Sequence, residues 1–113
     1  MQTRIEINEN FVTAYLSGEI DHHNAPEIRE KIDECIISRK PKRLIIDFKD
    51  VTFMDSSGIG LVMGRYRLIE NTDCKMAIIN LSVHAYRVMQ LAGMDKLAVL
   101  KKKPKEEINN ESA

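Results

Sequence analysis

Two periods of apolar spacing run along this chain. Arg4-Ile5-Glu6-Ile7 alternates polar and apolar, and Phe11-Val12-Thr13-Ala14-Tyr15-Leu16 is rich in strand formers. The turn-like Asn8-Glu9-Asn10 between them predicts a β-hairpin, and Gly18 is expected to break the second strand. The period then changes. Ile28, Ile32, Cys35 and Ile36 recur at helical spacing on an otherwise charged segment. Asn24 and Glu27 stand at capping-box spacing ahead of that stripe, Pro26 is tolerated in a first turn, and Pro41 stops the helix.

The alternation of elements continues. Arg43-Leu44-Ile45-Ile46-Asp47-Phe48 reads as a short buried strand, Lys49 to Ser56 as a loop, and Ser57 to Glu70 as a second helix. Lys75 to Asn80 is a further strand. Ser82 caps a third helix that ends at Ala92-Gly93, and Lys96 to Leu100 is a last strand. The order β-β-α-β-α-β-α-β predicts an α/β domain over residues 1–100 with one mixed sheet, parallel except for its hairpin. Residues 101–113, beginning Lys101-Lys102-Lys103-Pro104-Lys105, read as a charged polar tail or a short terminal helix.

Composition narrows the function classes. With 17 Lys+Arg against 17 Asp+Glu in 113 residues the chain is formally neutral, which argues against a dedicated nucleic-acid binder. No apolar run approaches the ~20 residues that cross a bilayer. The start, Met1-Gln2-Thr3-Arg4, shows no secretory signal, so a cytoplasmic protein with Cys35 and Cys74 as reduced thiols is expected.

The chemistry concentrates in Phe53-Met54-Asp55-Ser56-Ser57-Gly58-Ile59-Gly60, where a strand gives way to a helix. Asp and Ser suit an N-cap, glycines at 58, 60 and 64 admit another backbone, and a helix N-terminus favours an anion. On a helical wheel Ile59, Val62, Met63, Tyr66 and Ile69 can face a sheet. Leu61 and Leu68 fall opposite, with Gly64 and Arg65 beside them. That pattern fits either a docking surface or a helix buried on both sides.

Enzyme signatures fail on this segment. There is no Gly-x-Ser-x-Gly elbow, no dinucleotide spacing in Gly58-x-Gly60-x-x-x-Gly64, and no Gly-Lys-Ser/Thr loop. Nothing along the chain ties His22, His23 or His84 to Ser57 as a base, and no second ligand pair accompanies His22-His23 at zinc spacing. No catalytic residue, metal or cofactor is therefore expected.

Met54-Asp55-Ser56-Ser57-Gly58-Ile59-Gly60 followed by Gly64-Arg65-Tyr66, together with Gly18-Glu19-Ile20-Asp21-His22-His23, resembles the anti-sigma factor antagonists of the STAS-domain family. The resemblance runs from about Arg4 to Leu100, and the Asp-His-His and Asp-Ser-Ser-Gly forms are most similar to its sporulation branch, which controls sigma F. The resemblance implies that Ser57 is phosphorylated by the anti-sigma factor, itself a serine kinase. It further implies that the unphosphorylated form binds that factor and frees the sigma factor. A serine phosphatase would then restore the unphosphorylated form. On this reading Asp21, Asp55, Ser56, Ser57, Gly58, Gly60, Leu61, Gly64, Arg65 and Leu68 are the candidate partner-binding residues. Asp21 and Asp55 could equally be local caps. The alternatives are an antagonist in a stress-response sigma pathway and a STAS module that binds a nucleotide or lipid. A hydrolase lacks a base.

Overall fold

The computed structural model describes residues 2–104. The elements are β1 (Gln2–Asn8), β2 (Phe11–Ile20), α1 (Ala25–Arg39), β3 (Arg43–Met54), α2 (Ser56–Ile69), β4 (Lys75–Leu81), α3 (Val83–Leu91), a single 3-10 turn (Met94–Lys96) and β5 (Val99–Lys102). The strands form one sheet in the order β1-β2-β3-β4-β5. The first pair is antiparallel and the other three are parallel. The α/β class and the element order expected from the chain are those observed.

Sheet order equal to chain order has a consequence. Each crossover steps to the neighbouring strand in the same direction, and right-handed crossovers then lay every helix on the same face. The burial follows. Val12, Ala14, Leu16, Leu44, Ile46, Phe48, Met76 and Ile78 form one core with Ile28, Ile32, Ile36, Val62, Ile69, Ala85 and Met89. The opposite face carries half-buried Thr13, Tyr15, Ile45, Ala77 and Ile79. Its polar group is a buried carboxylate: Asp47 accepts the Asn80 amide at 3.0 and 3.1 Å and the Lys49 N–H at 2.8 Å. Asn80 adopts φ 59°, a region that asparagine tolerates better than most residues.

Several details differ from the sequence reading. Gly18 does not end β2; it sits within the strand at φ 79°, beside shifts in the β2–β3 register. A glycine at a bulge permits that conformation and lets pairing resume. β3 is twice the expected length, because β2 supplies partners for Asp50, Val51, Phe53 and Met54. Asn24 precedes α1 but makes no capping box: its side chain turns back to take the Asp21 N–H at 3.0 Å and donates to the Glu19 carbonyl at 2.7 Å. At the other end the last strand is displaced: Lys96 closes a 3-10 turn, β5 starts at Val99 and continues to Lys102, and the Lys103 N–H reaches the Leu81 carbonyl at 2.8 Å. The expected boundary at residue 100 therefore falls inside a strand, and the tail from residue 105 lies outside the described residues. Both cysteines are free thiols.

Candidate functional site

Parallel pairing brings the two motifs together. β2 and β3 run side by side, Ile20 stands opposite Met54, and the Asp55 N–H donates to the Ile20 carbonyl at 3.1 Å. The Asp21 loop and the Asp55 turn thus leave the sheet at the same edge, the carboxyl end of its parallel strands, where open α/β sheets gather their ligands.

The α2 junction is abrupt. Asp55 is the N-cap in extended conformation, and its carboxylate accepts the Ser57 N–H at 2.7 Å. That bond satisfies one of the donors that a helix start leaves unpaired. Ser56 is exposed and Ser57 is half-exposed. Among the described residues no hydrogen bond engages the Ser57 hydroxyl. Gly58 is buried, and a Cβ there would collide with the Met54 side chain. Gly60 and Gly64 differ: nothing stands where their Cβ atoms would project. The N-terminal half of α2 is consequently flat on its outer side.

The structure corrects part of the expected partner surface. Leu61 is 4% exposed and belongs to the core, and Arg65 is 6% exposed. Of the two readings of the wheel, the helix buried on both sides holds at these positions: α2 also packs against α1, so its buried arc is wider than one face. Arg65 Nε lies 2.6 Å from Asp33 Oδ1 of α1, and its terminal nitrogen donates to the Leu61 carbonyl at 3.1 Å. The N–H does not aim at the carboxylate, so charge rather than an aligned hydrogen bond holds the pair. Burial pushes the Arg65 guanidinium below its ordinary value, Asp33 opposes that, and the like charge of Arg29 adds to it. Leu68 is 40% exposed, but it lies toward the far end of α2, in an apolar groove with Ile36, Ile37 and Pro41. Leu61, Gly64 and Leu68 therefore do not form one continuous stripe.

The α1 junction is a wider turn. Asp21 accepts the N–H groups of His23 and Asn24 at 2.9 and 3.1 Å, and the Ala25 N–H reaches the Asp21 carbonyl at 2.9 Å. The Asn24 N–H holds the Asp21 carboxyl below its ordinary value; partial burial opposes that, and the His23 N–H and the charges of His23 and His22 assist. The His22 and His23 rings lie 4.1 Å apart, centre to centre. Between the junctions lies a shallow depression of about 370 Å³, lined by His22, Ala25, Pro26, Arg29, Ser57, Gly60, Leu61, Gly64 and Arg65. His22 and Arg29 thus share a surface with Ser57. The chain alone marks His22 only as part of the Asp21-His22-His23 motif and does not mark Arg29, because an exposed arginine on a charged helix has no distinguishing pattern.

A family model described as the STAS domain matches residues 2–107. The chain belongs to the STAS-domain family. It is 33% identical over 97 residues to the anti-sigma F factor antagonist of Paenibacillus polymyxa, covering 86% of this chain and 83% of the relative. It is 31% identical to the anti-sigma-B factor antagonist of Bacillus subtilis strain 168, covering 80% and 81%. Among solved structures, unphosphorylated SpoIIAA, an anti-sigma factor antagonist, superposes with a TM-score of 0.74 at 30% identity over 98% of this chain and 96% of that one. The phosphorylated form of Bacillus SpoIIAA superposes with a TM-score of 0.73 at 31% identity over 98% of each chain. The chain is therefore an antagonist-type STAS domain, a binding module rather than an enzyme. Among the described residues no helix is long and apolar enough to cross a membrane.

Proposed function

We propose that this STAS domain is a cytoplasmic partner switch. Its unphosphorylated form binds an anti-sigma factor that is also a serine kinase, and phosphorylation of Ser57 ends that binding and leaves the anti-sigma factor to its sigma factor. A serine phosphatase resets the cycle. The observation that carries this reading is the Ser57 hydroxyl, half-exposed on a capped helix start beside the flat Gly60–Gly64 surface. A kinase needs such access, and the base and nucleotide belong to the kinase. Phosphate adds about −1.5 to −2 charges near neutral pH, on a helix end that tolerates an anion without unfolding. The sigma F pathway is favoured by the Paenibacillus relative and by Asp21-His22-His23 in the adjoining loop. A second reading, a stress-response pathway, rests on the sigma-B relative.

Incubation with ATP and each candidate anti-sigma kinase, followed by intact-mass and peptide analysis, tests the proposal. One phosphate on Ser57, with the favoured partner, is expected. A phosphate confined to Ser56 would overturn the site, and transfer by neither kinase would overturn the function. Ser57→Ala should bind the partner permanently and Ser57→Asp weakly. Gly64→Gln should weaken binding without lowering stability, since the added side chain meets open space.

A further inference from the structure

The depression between α1 and α2 is lined by His22, Arg29 and Arg65 and by no acidic side chain. Arg65 is buried beneath it, and the one carboxylate beside that guanidinium, Asp33, is already paired with it. Arg29 is exposed on the rim and makes no ion pair among the described residues, although it is near enough for its like charge to act on Arg65. His22 stands on the same rim. The lining thus offers two guanidinium groups and an imidazole and no carboxylate, a set of donors that a phosphate fits. The remaining polar side chain of the lining is the Ser57 hydroxyl.

We infer that a phosphate on Ser57 is held in cis in this depression by Arg29 and His22, with Arg65 beneath. The inference rests on the proposed phosphorylation of Ser57 and assigns its mechanism. The phosphoserine fills the hollow between the two helices, so the switch removes a docking hollow as well as adding charge. The preference for a phosphate of the chain itself follows from placement: Ser57 is part of the lining, so its phosphate is always at hand, whereas an external anion would have to be recruited. Charged groups around the lining are Asp21 and His23 beside His22 in the first loop, Asp33 paired with Arg65, Asp55 at the start of α2, and Glu27, Glu30 and Glu34, which share a neighbouring surface with Arg29. None of these carboxylates is in the lining; Asp21 and Asp55 accept backbone N–H groups, Asp33 pairs with Arg65, and their negative charge opposes the lowering that Arg29 and Arg65 impose on the second ionisation of the phosphate.

The test uses the full chain with phosphoserine installed at position 57 during translation, so that it needs no kinase. Phosphorus NMR follows the second ionisation of the phosphate, near pH ~6 when free. The expected value is lower by about 1 unit, the low end for an opposite charge within ~4–6 Å. Arg29→Gln should return most of that shift, and Arg29→Lys should keep part of it. A matching amide NMR spectrum for unphosphorylated Arg29→Gln, whose side chain is exposed, checks that the fold is unchanged. Wild type and Arg29→Gln titrating together, or wild type titrating as free phosphoserine does, would overturn the inference. Either outcome leaves Ser57 standing as a kinase substrate, whereas failure of the kinase to act on Ser57 would defeat the proposed function without altering this titration.

Discussion

The two strand-to-helix junctions lie side by side and solve the same problem differently. At the first, four residues separate β2 from α1, and Asp21 and Asn24 exchange side-chain bonds with the backbone to shape the turn. At the second, Asp55 alone separates β3 from α2 and caps the helix directly. Both aspartates spend acceptor capacity on backbone N–H groups, so both have a structural task whatever a partner does with them. The groups left outward are their neighbours: His22 and His23 at the wide turn, Ser56 and Ser57 at the tight one. A wide turn can present a loop. A tight turn presents a hydroxyl fixed to the start of a rigid helix, which suits a modification site better.

The tight junction should be the more sensitive of the two. The largest effect is expected behind it, where Leu61 packs between α2 and the core. Leu61→Ala should cost about 2–5 kcal/mol, read from urea midpoints, against about 0.5 kcal/mol or less if the side chain served only as a surface contact. Next is Gly58→Val, which sets a side chain against Met54 and should cost about 1–3 kcal/mol. Gly60→Ala, one residue beyond Ile59, meets open space and should be neutral or stabilising by the same measurement. Equal losses at the two glycines would break the account of the tight turn.

Asp55→Ala comes third. Removing the N-cap acceptor should cost about 0.5–2 kcal/mol, and Asp55→Asn should retain most of the stability. The smallest effect belongs to the wide turn. The folded Asp21 carboxyl lies below its ordinary 3.8. A depressed folded value means that its contribution is complete above 3.8 and fades as the pH falls through the folded value. Melting curves of wild type and Asp21→Asn should therefore differ by a constant amount above that pH and converge below it. A gap that ignores pH would show that the charge of Asp21 has no part in shaping the turn.

Much of this architecture was legible in the chain because it follows from local pattern. The alternation in β1, the Ile28–Ile32–Ile36 stripe, the Ser82 cap and Gly93 at the end of α3 each express a preference of adjacent residues, and the structure keeps them. The Asp55 cap belongs with them, since Asp followed by Ser-Ser before a helical run is a local signal. So does Ser57 as the candidate residue, although its role came from family resemblance rather than from spacing.

Tertiary structure decided the rest, and the physical reason is the same in each case: a second element supplied the partner. Lys49, Asp50 and Thr52 look like loop residues, yet β3 continues through them because β2 lies alongside to pair with it. Gly18 looks like a terminator and becomes a bulge for the same cause. Leu61 and Arg65 fall on the outer side of a helix on a sheet, and α1 makes that side interior. Asn80 meets Asp47, 33 residues away, only because their strands are neighbours. The grouping of His22, Arg29 and Ser57 arises in the same way, from two parallel strands that end together. By itself the sequence determined the order and type of the elements and where α2 is capped. Which helix face is outside, and which charges stand around Ser57, depended on contacts between distant residues that no local pattern encodes.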